Sequence, residues 1–272
     1  MPLLDKLREQ YGVGPLCSEL HIAPSTYYHC QQQRHHPDKR SARAQRDDWL
    51  KKEIQRVYDE NHQVYGVRKV WRQLLREGIR VARCTVARLM AVMGLAGVLR
   101  GKKVRTTVSR KTVAAGDRVN RQCVAERPDQ LWVADFTYVS TWQGFVYVAF
   151  IIDVFAGYIV GWRVSSSMET TFVLDALEQA LWARRPSGTV HHSDKGSQYV
   201  SLAYTQRLKE AGLLASTGST GDSYDNAMAE SINGLYKAEV IHRKSWKNRA
   251  EVELATLTWV DWYNNRRLLE RL

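Results

Sequence analysis

The sequence predicts an α/β chain in two parts: an all-α first part, then a second part built as a mixed sheet flanked by helices. Three observations predict it. Apolar residues recur at helical spacing between about residues 46 and 93, with glycines closing the segments. From Pro128 onward, runs of strand formers separated by turn residues give way to alternating helices and strands. Charge divides at the same place: Met1 to Glu126 holds 25 Lys/Arg against 12 Asp/Glu, and Arg127 to Leu272 holds 15 against 16.

The bulk properties set the frame. A length of 272 residues suits two or three domains, and 44% hydrophobic residues are enough to bury a core. No apolar run approaches the roughly 20 residues that span a bilayer, and Met1 to Gln10 lacks the apolar stretch of a signal peptide. A cytoplasmic protein with no membrane partner is expected. Cys17, Cys30, Cys84 and Cys123 form no CxxC pair and have no zinc-finger histidines nearby, so reduced thiols are expected rather than disulfides or structural zinc. The net charge of +12 lies wholly in the first half. A surplus of that kind is what phosphate binding requires, though a solvated basic surface has the same composition.

In the first part, Gly14 to Leu20 reads as a helix, His21-Ile22-Ala23 as a turn, and Pro24 to Cys30 as the start of a second helix, with Pro and Ser suited to its first turn. Two short helices about a turn suggest a helix-turn-helix. The polar stretch Gln31 to Arg46 is expected to be a linker. Trp49, Leu50, Ile54, Val57 and Tyr58 mark an amphipathic helix near 46 to 60. A second follows over Val67 to Arg76, closed by Gly78, and a third over Cys84 to Met93, stopped by Gly94. This second helix-turn-helix carries Arg83 and Arg88 on or beside its later helix, where they are expected to meet DNA. Residues 100 to 121 are irregular and basic, and Lys102, Lys103 and Arg105 are expected to lie along a phosphate backbone.

In the second part, strands are expected at Leu131 to Val139, Gly144 to Ile152 and Gly157 to Val164. A helix follows over Thr170 to Ala183, a strand at Thr189 to His192, a helix over Leu202 to Ala211, and a strand at Leu213 to Ser216. After a polar loop at Gly218 to Ser223 come helices from Asp225 to Val240 and Asn248 to Arg267. This order describes a ribonuclease-H-like fold.

In that fold three carboxylates reach one edge. Asp135 lies within the first strand among apolar residues, where an unpaired charge is costly. Asp194 follows the C-terminal end of the fourth strand, and Glu230 lies early on a helix crossing the same edge. Three such groups repel one another unless cations sit between them. Hard divalent ions take oxygen ligands, and two of them can promote phosphoryl displacement. Two Mg²⁺ ions are therefore expected at Asp135, Asp194 and Glu230, and Mn²⁺ suits the same donors. Asn226, Glu230, Asn233 and Lys237 follow helical spacings, so they share a face. Lys237 is placed to hold a substrate phosphate, with Asn226, Asn233 and His192 as supporting residues. Asp153, Asp222 and Asp225 are assigned to turns and caps.

Three ordered segments now carry a resemblance: Leu131 to Tyr138 around Asp135, His192-Ser193-Asp194-Lys195-Gly196-Ser197-Gln198-Tyr199, and Asp225 to Ser231 around Glu230. They resemble the catalytic core of OrfB-type transposases of the IS-three insertion-sequence family, relatives of retroviral integrases. Thirty-five residues, 195 to 229, separate Asp194 from Glu230, and Lys237 stands seven positions further on, both as the resemblance implies. Val64 to Val70, Arg88 to Leu95 and Trp262-Tyr263-Asn264-Asn265-Arg266-Arg267 extend it over most of the chain. It implies a bacterial, nucleoid-associated enzyme that nicks DNA at terminal inverted repeats and joins the freed 3′-hydroxyl to target DNA. It also implies assembly as a homo-oligomer on DNA and a partnership or fusion with an OrfA product. Relatives continue through a short Pro-containing tail where this chain stops at Glu270-Arg271-Leu272, so a further segment is expected.

Four regions follow: 1–45 helix-turn-helix-like segment and linker, 46–99 DNA-binding domain, 100–126 basic linker, and 127–272 catalytic core. Two alternatives stand beside strand transfer, a non-catalytic DNA-binding regulator of the element and a nuclease on the same fold.

Overall fold

The computed structural model describes residues 2–36, 39–99, 124–194, 196–217 and 227–269. It divides into two compact units, Met1–Gly97 and Val98–Leu272.

The first unit contains α1 (Pro2–Tyr11), α2 (Val13–Glu19), α3 (Pro24–His35), α4 (Ala42–Glu60), α5 (Val67–Arg76) and α6 (Arg83–Val92). The sequence pattern gave no sign of α1, because helices this short are marginal alone and depend on tertiary contact. Here Leu4 buries against Cys17 and Tyr27, and the Tyr27 hydroxyl donates to Asp5 Oδ1 at 2.9 Å. The linker expected over Gln31 to Arg46 is much shorter. Helix α3 runs on to His35, and α4 starts at Ala42, where Ser41 Oγ accepts from the Ala44 N–H at 3.3 Å as its N-cap.

Leu50, Ile54 and Val57 of α4 bury with Val70 and Leu74 of α5 and Val86, Leu89 and Met90 of α6. Trp71 Nε1 donates to the Val81 carbonyl at 2.8 Å, which ties the turn before α6 to α5. Arg83 and Arg88 are both exposed on α6. Arg88 donates to both Asp47 oxygens, at 2.9 and 2.8 Å, so part of its charge is already answered. Lys102, Lys103 and Arg105 lie outside the described residues.

The second unit runs β1 (Leu131–Thr141), β2 (Gly144–Asp153), β3 (Tyr158–Ser165), α7 (Thr170–Arg184), β4 (Val190–Ser193), α8 (Leu202–Glu210), β5 (Leu214–Thr217), α9 (Ala227–Glu239), a 3₁₀ turn at Ile241–Arg243, and α10 (Arg249–Asn265). Strand order is β3-β2-β1-β4-β5. The first three strands are antiparallel neighbours, and β4 and β5 join parallel to β1. This is the ribonuclease-H-like arrangement, with the expected elements in the expected order.

The sheet is covered on both faces. Trp132, Ala134, Ala149 and Ile151 point to α7 and α8, where Phe172, Val173, Ala176, Leu177 and Tyr204 fill the core. Gly161 makes this approach possible: a Cβ there would lie 2.2 Å from the Ala176 carbonyl oxygen. On the other face, Phe150 meets Tyr236 of α9 and Trp259 of α10, with ring centroids 5.2 and 6.0 Å apart. Each such ring pair contributes about 0.5–1.5 kcal/mol beyond burial, and the cluster seats α9 across the sheet. Asp153, assigned to a turn, does that duty: its buried carboxylate accepts from the N–H groups of Asp129 and Phe155 at 3.2 and 3.1 Å. Among the described residues no helix is long and apolar enough to cross a membrane.

Candidate active site

The parallel pairing of β1 with β4 decides the site. Its register runs from Leu131↔Val190 to Ala134↔Ser193, and one step further along the two strands stand Asp135 and Asp194. Side chains alternate along a strand. Trp132 and Ala134 point to α7, so Asp135 points to the opposite face, toward α9. There Asn233 Nδ2 donates to Asp135 Oδ2 at 2.9 Å. The Phe136 N–H donates to the other carboxylate oxygen at 2.8 Å.

Asp194 is held from its own loop. The Gly196 N–H donates to Asp194 Oδ1 at 2.9 Å, and a Cβ on Gly196 would itself sit 2.9 Å from that oxygen. The loop then continues into Gln198, which donates to the Met168 carbonyl at 3.1 Å, and into Ser201, whose hydroxyl caps α8.

The two aspartates share one electrostatic condition. Burial, reinforced by the Asp194 charge and more weakly by Glu230, raises Asp135 to about 7 against the lowering effect of Phe136 and Asn233. Burial also raises Asp194, opposed by the Gly196 N–H and by His192. Neighbouring carboxylates that hold protons this tightly are under-compensated anions, and their oxygen donors suit a hard divalent cation. Glu230 is half-buried in the first turn of α9. Among the described residues no three His, Cys, Asp or Glu side chains stand together as a ready-made cage for one ion. The fold brings Asp135 and Asp194 side by side, and the charge of Glu230 is felt at Asp135.

Lys237 lies two turns beyond Glu230. Its ammonium sits 4.9 Å from the centre of the Tyr138 ring. Partial burial lowers its pKa while Asp135 raises it. His192, expected near a phosphate, is instead fully buried, with Nδ1 2.9 Å from Ser216 Oγ. Its charge is nonetheless felt at Asp194. His191 points to the opposite face and meets the Tyr204 hydroxyl at 3.0 Å; burial lowers its pKa to about 4, so it is neutral. Asn226, Asp222 and Asp225 lie outside the described residues.

Sequence reasoning passed over Tyr199. It is buried against Phe136 and Tyr204, and the negative charges of Asp135 and Asp194 are felt at its hydroxyl. Its position five residues after Asp194 was the available signal.

With this geometry in place, the comparisons with known proteins are specific. Residues 125–223 and 211–268 match two integrase core domain families, and residues 45–103 match an HTH-like domain family. The chain is 98% identical over 272 residues to the transposase for insertion sequence element IS629 of Shigella sonnei, covering 100% of this chain and 92% of that protein. The chain belongs to the IS-three family of insertion-sequence transposases. It is also 53% identical over 257 residues to a putative transposase for element IS986/IS6110 of Mycobacterium tuberculosis (strain ATCC 25177 / H37Ra), covering 92% of this chain and 91% of that one. Among solved structures, a chain of a simian T-cell lymphotropic virus intasome in complex with PP2A regulatory subunit B56 gamma is similar over 80% of this chain and 70% of that one, with a TM-score of 0.45 and 14% identity.

In this transposase the motif Trp262 to Arg267 holds the fold together. Asn264 accepts from the Ile159 N–H and donates to the Ile159 carbonyl, both at 2.9 Å, pinning α10 along β3. Arg267 forms a buried ion pair with Glu239 at 2.6 Å, and Trp259 Nε1 donates to the same carboxylate at 3.0 Å.

Proposed function

We propose that the chain cleaves and rejoins DNA strands at the ends of its insertion sequence, with Asp135, Asp194 and Glu230 as the residues that hold divalent metal. One observation carries the reading: Asp135 and Asp194 fall side by side on neighbouring parallel strands, at the edge crossed by the helix bearing Glu230 and Lys237. When bound, two Mg²⁺ ions (or Mn²⁺) supply Lewis acidity to a phosphodiester and favour ionisation of an attacking water or 3′-hydroxyl. The chain's own residues do the rest. Asn233 and the Phe136 N–H fix both oxygens of Asp135, and Gly196 fixes one oxygen of Asp194. Lys237 offers an ammonium to a phosphate of the donor strand.

The four regions divide the labour in this reading. Residues 46–99 grip terminal DNA, with Arg83 and Arg88 on phosphates, and the basic stretch 100–126, including Lys102, Lys103 and Arg105, follows the backbone. Residues 127–272 carry the chemistry, and 1–45 adds a second helical contact. Asn226 supports the acidic end of α9. The DNA partners are terminal inverted repeats and target DNA, met by a homo-oligomer together with an OrfA product.

The test uses labelled duplexes carrying the element's ends, with and without Mg²⁺, comparing this chain with Asp194→Asn. Metal-dependent nicks and joined products, absent from the variant, are expected. Equal products from both proteins would sink the assignment; binding with no cleavage by either would make the chain a regulator of its element.

A further inference from the structure

Beside the acidic edge runs a groove of about 520 Å³, walled on one side by Tyr138 to Trp142 of the β1–β2 hairpin and on the other by the segment after α9. It exists because β4 stops pairing at Ser193, which leaves the far half of β1 with an open edge. The two walls are joined: the Trp142 N–H donates to the Trp246 carbonyl at 3.0 Å. Trp246 itself is buried, with Nε1 bonded to the Ile241 carbonyl at 2.9 Å, so the floor is firm.

Two features of this groove call for the same occupant. Trp142 is 73% exposed and Tyr138 42%, two rings that line the groove from the β1 side. Cations are interleaved with the rings: Lys237 lies 4.9 Å from the Tyr138 centroid, and Lys244, also paired with Glu251, lies 4.3 Å from that of Trp246. Residues 242–249 hold four Lys/Arg and no acid, within a half of the chain that is otherwise acidic, with 11 Lys/Arg against 16 Asp/Glu outside them. Open aromatic faces between cations are what a single nucleic-acid strand needs, since bases stack on rings while phosphates meet ammonium groups. A duplex hides its base faces, so stacking of this kind demands unpaired bases.

We propose that this groove takes unpaired nucleotides of a DNA strand, with a base stacked on Trp142 and phosphates met by Lys237 and Lys244. The inference rests on the proposed function for its relation to the acids. Tyr138, at the near end of the groove, is three residues from Asp135, about 10 Å at strand rise. Trp142, just past the end of β1, is about 20 Å from it, which corresponds to about six nucleotides along one strand. The groove therefore receives the frayed end of the duplex being cut, and it favours DNA that opens easily beside the scissile phosphate.

The experiment uses the full chain in EDTA, with 2-aminopurine in a duplex forked by about six unpaired nucleotides and in its fully paired counterpart. Quenching of the forked probe is expected on binding. Trp142→Ala is expected to weaken the forked complex on the order of tenfold and the paired one by less than about twofold, and Trp142→Phe to recover most of the loss. Equal losses on both probes, or none, overturn the proposal. So does a variant that loses self-association while keeping its forked-DNA affinity, which would make the rings a protein contact. No cutting occurs in EDTA, so a failure here leaves the metal-dependent chemistry standing, and an active Asp194→Asn enzyme would leave the stacking standing.

Discussion

Asn233 on α9 donates from Nδ2 to Oδ2 of Asp135 on β1 at 2.9 Å, across 98 residues of sequence. The bond does two things. It anchors the helix that carries Glu230 and Lys237 to the strand that carries the first aspartate, and it favours the ionised form of a carboxyl that burial and Asp194 push toward protonation.

Asn233→Ala removes that donor and raises Asp135 further above about 7. The acidic limb of the cleavage rate against pH is expected to move up by about half a unit to one unit. Binding to terminal DNA should stay within a factor of about two of the parent. A pH profile that does not move would show that Asn233 only braces the helix.

Metal-free stability should fall with pH through the neutral range. A carboxyl whose folded pKa is raised binds its proton more tightly in the native state than in the unfolded chain. Its stabilising effect is therefore present near the ordinary carboxyl pKa of 3.8 and lost as pH rises through about 7. Thermal melts in EDTA should show Tm declining between about pH 4 and 7, with Asp135→Asn flattening the decline. Added Mg²⁺ should raise the Tm of the parent but not of Asp135→Asn or Asp194→Asn; a rise in all three would locate the ion elsewhere.

Gly161→Ala places a methyl 2.2 Å from the Ala176 carbonyl oxygen and 3.0 Å from Ala180 Cβ. Helix α7 must lift from β3 to admit it, at a cost of about 1–3 kcal/mol or more. Urea unfolding should report this as a lowered midpoint with an unchanged slope.

Breaking the Glu239–Arg267 pair should cost more than replacing it. Both side chains are 7% exposed, so Arg267→Met strands a buried carboxylate at about 3–5 kcal/mol, whereas Glu239→Gln with Arg267→Met should recover a good part of the loss. Unfolding midpoints of the single and double variants measure the difference. A double variant no better than the single would mean that Arg267 acts by packing on Trp262 and Tyr263 rather than by charge.

Arg83→Ala should weaken binding to terminal DNA and reduce the salt slope by about one. Arg88→Ala should do less, because Asp47 already takes two of its hydrogen bonds. Affinities measured over a range of salt concentrations decide between them, and equal effects would mean that DNA displaces Asp47.

The element order of the second unit was legible from the chain alone, because strand formers such as Leu131 to Val139 and helical stripes such as Phe172 to Leu181 are local signals that survive in any context. Asp135, Asp194, Glu230 and Lys237 could be singled out for the same reason: spacing along strands and helices is a property of the sequence. The extent of the first helices was not legible. Helix α1 forms only where Leu4 meets Cys17 and Tyr27, a contact between distant residues that no local pattern encodes. Tertiary structure alone decided that His192 turns inward to Ser216, that Asn233 holds Asp135, and that the groove opens along β1 once β4 ends. These are matters of strand register and of which face a side chain meets, and they are settled by pairing between segments, where a shift of one residue reverses every side chain.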